Sequence, residues 1–290
     1  MRKFSYLVPK TLDEAISLHE SYGDRARYIA GGTDVIVKVK EGKLAPDYLI
    51  SLRHLLDQEA PFLNHETGEL VIGAFVTHRQ IEKSPIVKLN YAILHDAIKN
   101  IGSVQIRNVA TIGGNLVNAV PSADGAIPLI ALDARVHTHG TKGRRSIELR
   151  RFFLGPGQCD LEKGEILTEI VVPPLAPHSG GAYIKYGRRE AMELPMLGVG
   201  VMLTLEEDLA TCAGARICLG VAAPTPLRCL QAEKYLTGKS IDENSLAQAG
   251  KIAGEESKVR DSIRGVAWYR REMVSVLVKR MGLKAIERTK

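Results

Sequence analysis

The sequence lacks any cysteine pair with the spacing of a metal site. Its four cysteines, Cys159, Cys212, Cys218 and Cys229, include no Cys-x-x-Cys pair, and its eight histidines form no cluster. Zinc and iron–sulfur sites draw their ligands from closely spaced residues of these types. Neither kind of site is therefore predicted, and we expect free, buried thiols in a reducing compartment.

Long apolar runs are also missing. The longest covers residues 196–205, which is ten residues, whereas a helix needs about 20 to cross a bilayer. The first residues, Met-Arg-Lys-Phe-Ser, do not lead into the apolar segment that a signal peptide requires. Together these absences predict a soluble, cytoplasmic protein without a transmembrane segment.

Aromatic side chains and concentrated positive charge are scarce. Aromatic residues make up 5% of the chain, and the formal net charge of +6 is dispersed except for one basic cluster within residues 142–151. Proteins that bind nucleic acid usually gather their positive charge on one face. No nucleic-acid partner is expected, and we interpret the cluster as a solvated rim or as a surface for an acidic partner protein.

The common catalytic and nucleotide-binding motifs are absent. The sequence contains no His-Glu-x-x-His, no Gly-x-Ser-x-Gly and no Gly-x-Gly-x-x-Gly after a strand. The segment Gly238-Lys239-Ser240 resembles the end of a P-loop, but that loop needs a glycine where Glu233 stands. Hydrolase, metalloenzyme and Rossmann-type functions therefore have no support.

Short alternating helices and strands are predicted over residues 1–172. Thr11 with Glu14, and Thr77 with Gln80, have the spacing of capping boxes that begin helices. The region 101–118, rich in glycine, asparagine and β-branched residues, is predicted to be loop or irregular strand. Helices are expected at 12–22, 35–41, 86–98 and 124–134, and strands at 28–30, 48–51, 70–74, 136–139, 144–148 and 166–172.

A stretch rich in proline and glycine at residues 173–181 predicts a domain boundary. This stretch holds three prolines and two glycines in nine residues. Beyond it the pattern predicts three long strands followed by three helices, which is an α+β layout with one sheet and helices on one of its faces. The strands are expected at 182–189, 197–206 and 213–222, and the helices at 227–236, 243–257 and 266–281.

Two glycine pairs are the candidate binding elements. The first lies in residues 30–34, Ala-Gly-Gly-Thr-Asp, and the second in residues 111–115, Thr-Ile-Gly-Gly-Asn. A turn through residues without Cβ at the start of a helix can direct successive N–H groups toward an anion, and two such nests can share a diphosphate. Asp34 is expected to cap the helix after the first loop, and Asp124 to accept a bond from a ribose or ribityl hydroxyl. The alternative is that each loop is only a tight turn.

The sequence around these loops resembles the FAD-binding (medium) subunit of molybdenum hydroxylases, the carbon monoxide dehydrogenase and xanthine dehydrogenase family. Residues 101–115, the Pro-Ser-Ala-Asp of 121–124, and the segments 183–189 and 219–228 carry the resemblance in the family's order. It covers nearly the whole chain. The chain lacks the cysteine-bearing insertion of the 4-hydroxybenzoyl-CoA reductase branch, and membership of that branch is therefore not expected.

The resemblance implies an α+β fold with a two-lobed FAD-binding domain of the vanillyl-alcohol-oxidase (PCMH) type. This domain would cover residues 1–172, with lobes at about 1–55 and 56–172. A C-terminal domain at 181–285 would contain a three-stranded antiparallel sheet and a helical layer. Lys185 would approach the isoalloxazine ring of the FAD, the alternative being a solvated strand lysine. The implied FAD-binding residues are Ile29, Ala30, Gly31, Gly32, Thr33, Asp34, Val35, Ile101, Thr111, Gly113, Gly114, Asn115, Asp124 and Lys185.

The family's function implies partners rather than a catalytic residue in this chain. A large subunit would carry the molybdenum cofactor and a small subunit two [2Fe–2S] clusters, in a dimer of heterotrimers. The FAD subunit would pass the electrons to an external acceptor, and the large subunit would select the substrate. Two alternatives are a self-sufficient FAD oxidase or dehydrogenase of the same fold and a cofactor-free partner-binding module.

Overall fold

A computed structural model of the chain describes residues 3–55, 60–189 and 191–289. The expected boundary between the lobes, at residue 56, lies outside these residues. The described chain forms a sheet of three strands, a sheet of five, a sheet of four and a small two-stranded ribbon. Helices and strands are mixed in the first half and separate in the second, which agrees with the predicted α+β class.

The first lobe is a three-stranded parallel sheet with two helices. The strand order is β1–β3–β2, and both outer strands pair in parallel with β3. Thr11 caps α1, but the reciprocal bond of a capping box is not formed, because Glu14 accepts instead from the N–H of Lys10 at 2.6 Å. The elements are β1 (Ser5–Leu7), α1 (Leu12–Tyr22), β2 (Ala26–Ile29), α2 (Val35–Lys40) and β3 (Tyr48–Ser51).

The second lobe is built on a five-stranded antiparallel sheet in the order β4–β5–β10–β6–β7. The predicted capping box at Thr77 and Gln80 is complete. The strands are β4 (Phe62–Leu63), β5 (Leu70–Gly73), β6 (Arg135–Gly140), β7 (Gly143–Glu148), β8 (Phe153–Gly155), β9 (Gln158–Cys159) and β10 (Ile166–Val172). The helices are α3 (His78–Lys83), α4 (Pro85–Asn90), α5 (Ala92–Ile98), α6 (Val104–Arg107), α7 (Ile112–Val117), α8 (Ala126–Ala131) and α9 (Leu149–Phe152).

Two predictions in this lobe were wrong. The single helix expected at 86–98 is two helices, α4 and α5, because Tyr91 between them takes a non-helical conformation with φ −123° and ψ 53°. Leu89, in α4, is 78% exposed. The region 101–118, expected to be loop or irregular strand, contains the short helices α6 and α7. The hydroxyls of Ser103 and Thr111 cap them by accepting from N–H groups three residues later.

The C-terminal domain has one antiparallel sheet in the order β11–β12–β13–β14. The three long strands were predicted, but the sheet has four strands because β14 adds a two-residue edge. The strands are β11 (Ser179–Tyr186), β12 (Leu197–Leu205), β13 (Cys212–Gly220) and β14 (Leu227–Arg228), and the helices are α10 (Leu230–Leu236), α11 (Glu243–Glu256) and α12 (Ala267–Ile286).

Two hydrophobic cores hold the chain together. One runs through both lobes and takes in Tyr183, Met202 and Cys218 from the C-terminal sheet. The other joins that sheet to α10, α11 and α12. Because α5 and α8 pack against β11, β12 and β13, the C-terminal sheet is fixed beside the second lobe. This places Lys185, on β11, next to Asp124, which precedes α8.

Candidate functional site

A cavity of about 630 Å³ lies between the two lobes and is closed on one side by the C-terminal domain. This volume falls in the usual range for cofactor sites. Of the predicted site residues, only Ile29 does not line the cavity. The Ile29 side chain lies next to Gly32, which does. The predicted residues that line the cavity are Ala30, Gly31, Gly32, Thr33, Asp34, Val35, Ile101, Thr111, Gly113, Gly114, Asn115, Asp124 and Lys185.

The first glycine loop brings the two lobes together. A Cβ on Gly31 would lie 2.0 Å from the carbonyl oxygen of Val109, in the other lobe, so only glycine permits this approach. Gly32 has φ +74°, a left-handed conformation that favours glycine, and a Cβ there would face Ile29 and Ile36. The glycines are therefore needed for the path of the backbone itself.

The same loop lines the cavity and has unpaired backbone N–H groups. Among the hydrogen bonds within the described residues, none is donated by the backbone of Gly32, Thr33, Asp34 or Val35. Buried or half-buried N–H groups are rarely left without an acceptor, and consecutive ones form an anion-binding nest. The predicted nest is therefore supported at this loop by the backbone geometry.

Asp34 does not cap α2 with its side chain, contrary to the prediction. Its carboxylate accepts instead from the amide of Asn118 at 2.8 Å, and the oxygen of that amide accepts from the Lys38 ammonium at 2.7 Å. This network connects α2 in the first lobe with the end of α7 in the second. The Asp34 carboxylate makes no hydrogen bond with the N–H groups of the loop, which leaves them available to an anion.

The second glycine pair is not a second nest. The N–H of Gly113 donates to Ala74 O at 2.8 Å, that of Gly114 to the Thr111 hydroxyl at 3.1 Å, and that of Asn115 to Thr111 O at 3.0 Å. These groups are already satisfied, so they are not free to bind a phosphate. A Cβ on Gly113 would lie 2.7 Å from Ala74 O, which shows that this glycine permits the close packing of α7 against the chain after β5.

The side chain of Asn115 is the polar group that this segment contributes. Its Oδ1 is buried and has no hydrogen-bond partner among the described residues. An unsatisfied buried amide costs about 1–3 kcal/mol, and a ligand group in the adjoining cavity would relieve that cost. The unpaired amide oxygen of Asn115 and the free N–H groups of the first loop belong to the lining of one cavity, and they fit an extended polar cofactor such as FAD.

At the other end of the cavity, Asp124 and Lys185 form a buried ion pair. The Lys185 ammonium donates to Oδ2 of Asp124 at 2.7 Å and to Asn100 O at 3.1 Å, and the Lys185 side chain is only 12% exposed. The alternative of a solvated lysine is therefore wrong. Burial raises the pKa of the Asp124 carboxyl, and the Lys185 charge and the Tyr183 hydroxyl oppose that rise.

Apolar surface completes the lining, much of it missed by the sequence reasoning. Ile101 lies 8% exposed in the wall, as expected. Tyr28 adds a ring whose hydroxyl donates to Gly164 O at 2.9 Å. No local motif marks these further residues, since they come from separate segments that meet only in the folded chain. They include Leu52, Phe75, Ile106, Leu161, Ile166, Leu167, Met192 and Leu194.

No group of three or more His, Cys, Asp or Glu side chains that could hold a metal ion occurs in the described parts of the chain. His78 lines the cavity as a single histidine, and burial, with a smaller effect of the Arg107 charge, lowers its pKa to about 3. Its Nδ1 has no partner within the described ranges. Over residues 3–55, 60–189 and 191–289, no helix is both long and apolar enough to cross a membrane.

Two family models match the chain. Residues 2–175 match the FAD binding domain in molybdopterin dehydrogenase, and residues 182–285 match the CO dehydrogenase flavoprotein C-terminal domain. Together the two matches span nearly the whole sequence.

Curated relatives and solved structures agree with these matches. The xanthine dehydrogenase FAD-binding subunit of Escherichia coli O157:H7 is 31% identical over 97% of this chain and 96% of its own length. The carbon monoxide dehydrogenase medium chain of Hydrogenophaga pseudoflava is 31% identical over 96% of this chain and 95% of its own. A structure of carbon monoxide dehydrogenase from the same organism superposes with a TM-score of 0.91 at 32% identity, covering 98% of this chain and 97% of that one.

Proposed function

The chain belongs to the family of FAD-binding subunits of molybdenum hydroxylases, and from this premise we propose that the cavity between its lobes holds the FAD. The protein is the FAD-carrying oxidoreductase component of such a complex, whose molybdenum and iron–sulfur centres lie in other subunits. This function fits better than a stand-alone FAD oxidase, since relatives over the whole length are subunits of xanthine, nicotinate and carbon monoxide dehydrogenases.

One observation carries the assignment of the site. The glycine pairs at 31–32 and 113–114, which are 82 positions apart (31 to 113), line a single cavity. The unpaired N–H groups of the first loop, together with the Thr33 hydroxyl, are proposed to bind the diphosphate. The Asn115 amide is proposed to bind the cofactor from the opposite side, and Ile101 to pack on its apolar part.

Asp124 and Lys185 are proposed to lie at the flavin end of the cofactor. Each oxygen of the Asp124 carboxylate already accepts one bond, but a carboxylate has about four acceptor positions. It therefore keeps the capacity to accept from a ribose or ribityl hydroxyl, which is the role proposed for it. Bound FAD supplies the capacity to accept electrons singly from iron–sulfur clusters and to release them as a pair.

The finer quaternary and cellular statements are also proposals. The medium-chain relatives support a complex with a small and a large subunit, and we propose a dimer of such heterotrimers that passes electrons to an external acceptor in the cytoplasm. Residues 1–172 are proposed as the FAD-binding domain and 181–285 as the C-terminal domain.

Titration of the full chain with FAD tests the site. The unaltered chain is expected to bind one FAD, with quenching of flavin fluorescence as the measurement. Asn115→Asp should weaken binding at least about tenfold, or about 1.4 kcal/mol, because a carboxylate of the same shape repels the diphosphate at short range. The matched control is Asn90→Asp, at an exposed helix end away from the cavity, and it should bind as the unaltered chain does. Equal affinities for both variants would contradict the placement of the cofactor beside Asn115.

A further inference from the structure

A tyrosine outside the cavity is bonded to the ion pair inside it. The Tyr183 hydroxyl donates to Oδ1 of Asp124 at 2.6 Å, while Lys185 donates to Oδ2 at 2.7 Å. Asp124 and Lys185 line the cavity, but Tyr183, which is 3% exposed, does not. Tyr183 and Lys185 are two residues apart on β11 and therefore project from the same face of the sheet, so one strand supplies both donors.

The two bonds give the carboxylate a fixed orientation. A buried carboxylate oxygen without a donor is costly, and each Asp124 oxygen has a different donor in this arrangement. The Lys185 ammonium has three protons. Two of them go to Asp124 and to Asn100 O, and the third has no acceptor within the described residues.

We infer that Tyr183 is a positioning residue that orients Asp124 so that Lys185 directs its remaining proton and its charge into the cavity, toward the flavin end of bound FAD. This inference rests on the proposed function, because it assumes that the flavin lies at the Lys185 end. Tyr183 itself touches no cofactor. It acts through Asp124, and its effect should therefore depend on the presence of Lys185.

The expected consequence concerns the reduction potential of the bound FAD. A positive charge close to the flavin stabilises reduced FAD, which carries the added electrons, more than oxidised FAD. Lys185 should therefore raise the reduction potential. Without the Tyr183 hydroxyl, Oδ1 of Asp124 loses its donor. We expect that oxygen to take the third proton of Lys185, which draws the ammonium toward the carboxylate and away from the cavity.

The test is the midpoint potential of FAD bound to the full chain, measured by redox titration of its visible spectrum. Tyr183→Phe keeps the buried ring and removes only the hydroxyl. The variant should have a midpoint potential lower by about 30 mV. For a two-electron couple, this shift corresponds to about a tenfold change in the ratio of the dissociation constants of reduced and oxidised FAD. The dissociation constant of oxidised FAD should change less than about threefold.

A double-mutant cycle separates positioning from a general structural effect. In a Lys185→Met background, Tyr183→Phe should cause no further shift. Tyr91→Phe is the control, because Tyr91 is also buried but lines a different cavity. FAD bound to this variant should have the same midpoint potential as FAD bound to the unaltered chain.

Four results would overturn the inference: an unchanged potential in Tyr183→Phe, a raised one, the same shift in both backgrounds, or loss of FAD from Tyr183→Phe. The last would make Tyr183 a requirement for binding. Failure of the unaltered chain to bind FAD is a different result, since it would overturn the proposed function and this inference with it.

Discussion

At the scale of single residues, the cavity wall contains groups whose chemistry is altered by burial. His78 is 1% exposed and is the first residue of α3, and its backbone N–H donates to Ala110 O at 3.0 Å. Desolvation disfavours the charged imidazolium, and the pKa of His78 is lowered to about 3 from a value near 6.5. The side chain is therefore neutral over the whole physiological range.

This lowered pKa predicts a pH-dependent stability. Above about pH 6.5, His78 is neutral in both the folded and the unfolded chain, so it has no effect there. As the pH falls from about 6.5 toward 3, the unfolded chain binds a proton that the folded chain does not. The free energy of unfolding then decreases by up to about 1.4 kcal/mol per pH unit.

Urea unfolding at several pH values checks the prediction with the variant His78→Gln. The variant should show a shallower loss of stability between about pH 6 and pH 4 than the unaltered chain. His65→Gln, at an exposed position, serves as the control and should keep the original slope. Parallel curves for His78→Gln and the unaltered chain would show that His78 takes no part.

Glycine residues show how a correct residue prediction can rest on an incomplete reason. Both glycine pairs line the cavity, as expected. Gly31 and Gly113, however, are required mainly because the carbonyls of Val109 and Ala74 lie where a Cβ would be. That crowding comes from segments far along the chain, so no local pattern could have revealed it.

At the scale of elements, two of the predicted helix caps are present, whereas the cap expected from Asp34 and the unbroken helix expected at 86–98 are not. The hydroxyl of Thr11 caps α1 and that of Thr77 caps α3, because both caps depend only on residues three positions apart. The break at Tyr91 depends on how α4 and α5 pack, which hydrophobic spacing does not encode. In region 101–118, Ser103 and Thr111 were available as caps in the sequence, but the content of glycine and asparagine favoured a loop.

An ion-pair network joins the C-terminal domain to the second lobe. Arg228, on β14, donates two bonds to the buried Glu233, at 2.5 and 2.7 Å, and one to Asp133 at 2.8 Å, which follows α8. Oε1 of Glu233 also accepts from the N–H of Ile217 at 2.8 Å. The guanidinium therefore neutralises a buried carboxylate on one side and reaches a partly exposed one on the other.

The two halves of this network should differ in their effect on stability. Arg228→Met leaves the Glu233 carboxylate buried without its cation, and we expect it to lower the free energy of unfolding by about 3–5 kcal/mol. Asp133→Asn removes a charge whose side chain is 41% exposed, so we expect a loss below about 1 kcal/mol. The substitution also suits the positive φ of 52° at this position. Denaturant unfolding measures both, and losses of similar size would contradict the account.

At the scale of the whole molecule, the α+β class followed from the order of the segments, and the detailed architecture came from the family resemblance. The proline- and glycine-rich stretch at 173–181 marks the change from the first half, where helices and strands alternate, to the second half, where strands are followed by helices. What the sequence could not supply was the packing of the C-terminal sheet against α5 and α8 of the second lobe. That contact brings Lys185 to Asp124 across 61 residues, and it depends on the packing of two domains.

The same packing gives the site its two ends. The glycine loops and Asn115 lie where the lobes meet, whereas Asp124 and Lys185 lie where the C-terminal sheet closes the cavity. A cofactor with a diphosphate in its middle and a redox-active ring at one end fits this arrangement. The site is therefore a product of all three parts of the chain.

The most direct test is a crystal structure of the full chain grown with FAD. The account predicts one FAD in the cavity between the lobes, with its diphosphate at the N–H groups of residues 32–35 and its isoalloxazine ring at the Lys185 end. Density for FAD at another place, or crystals that contain no FAD after growth in excess cofactor, would contradict the central claim.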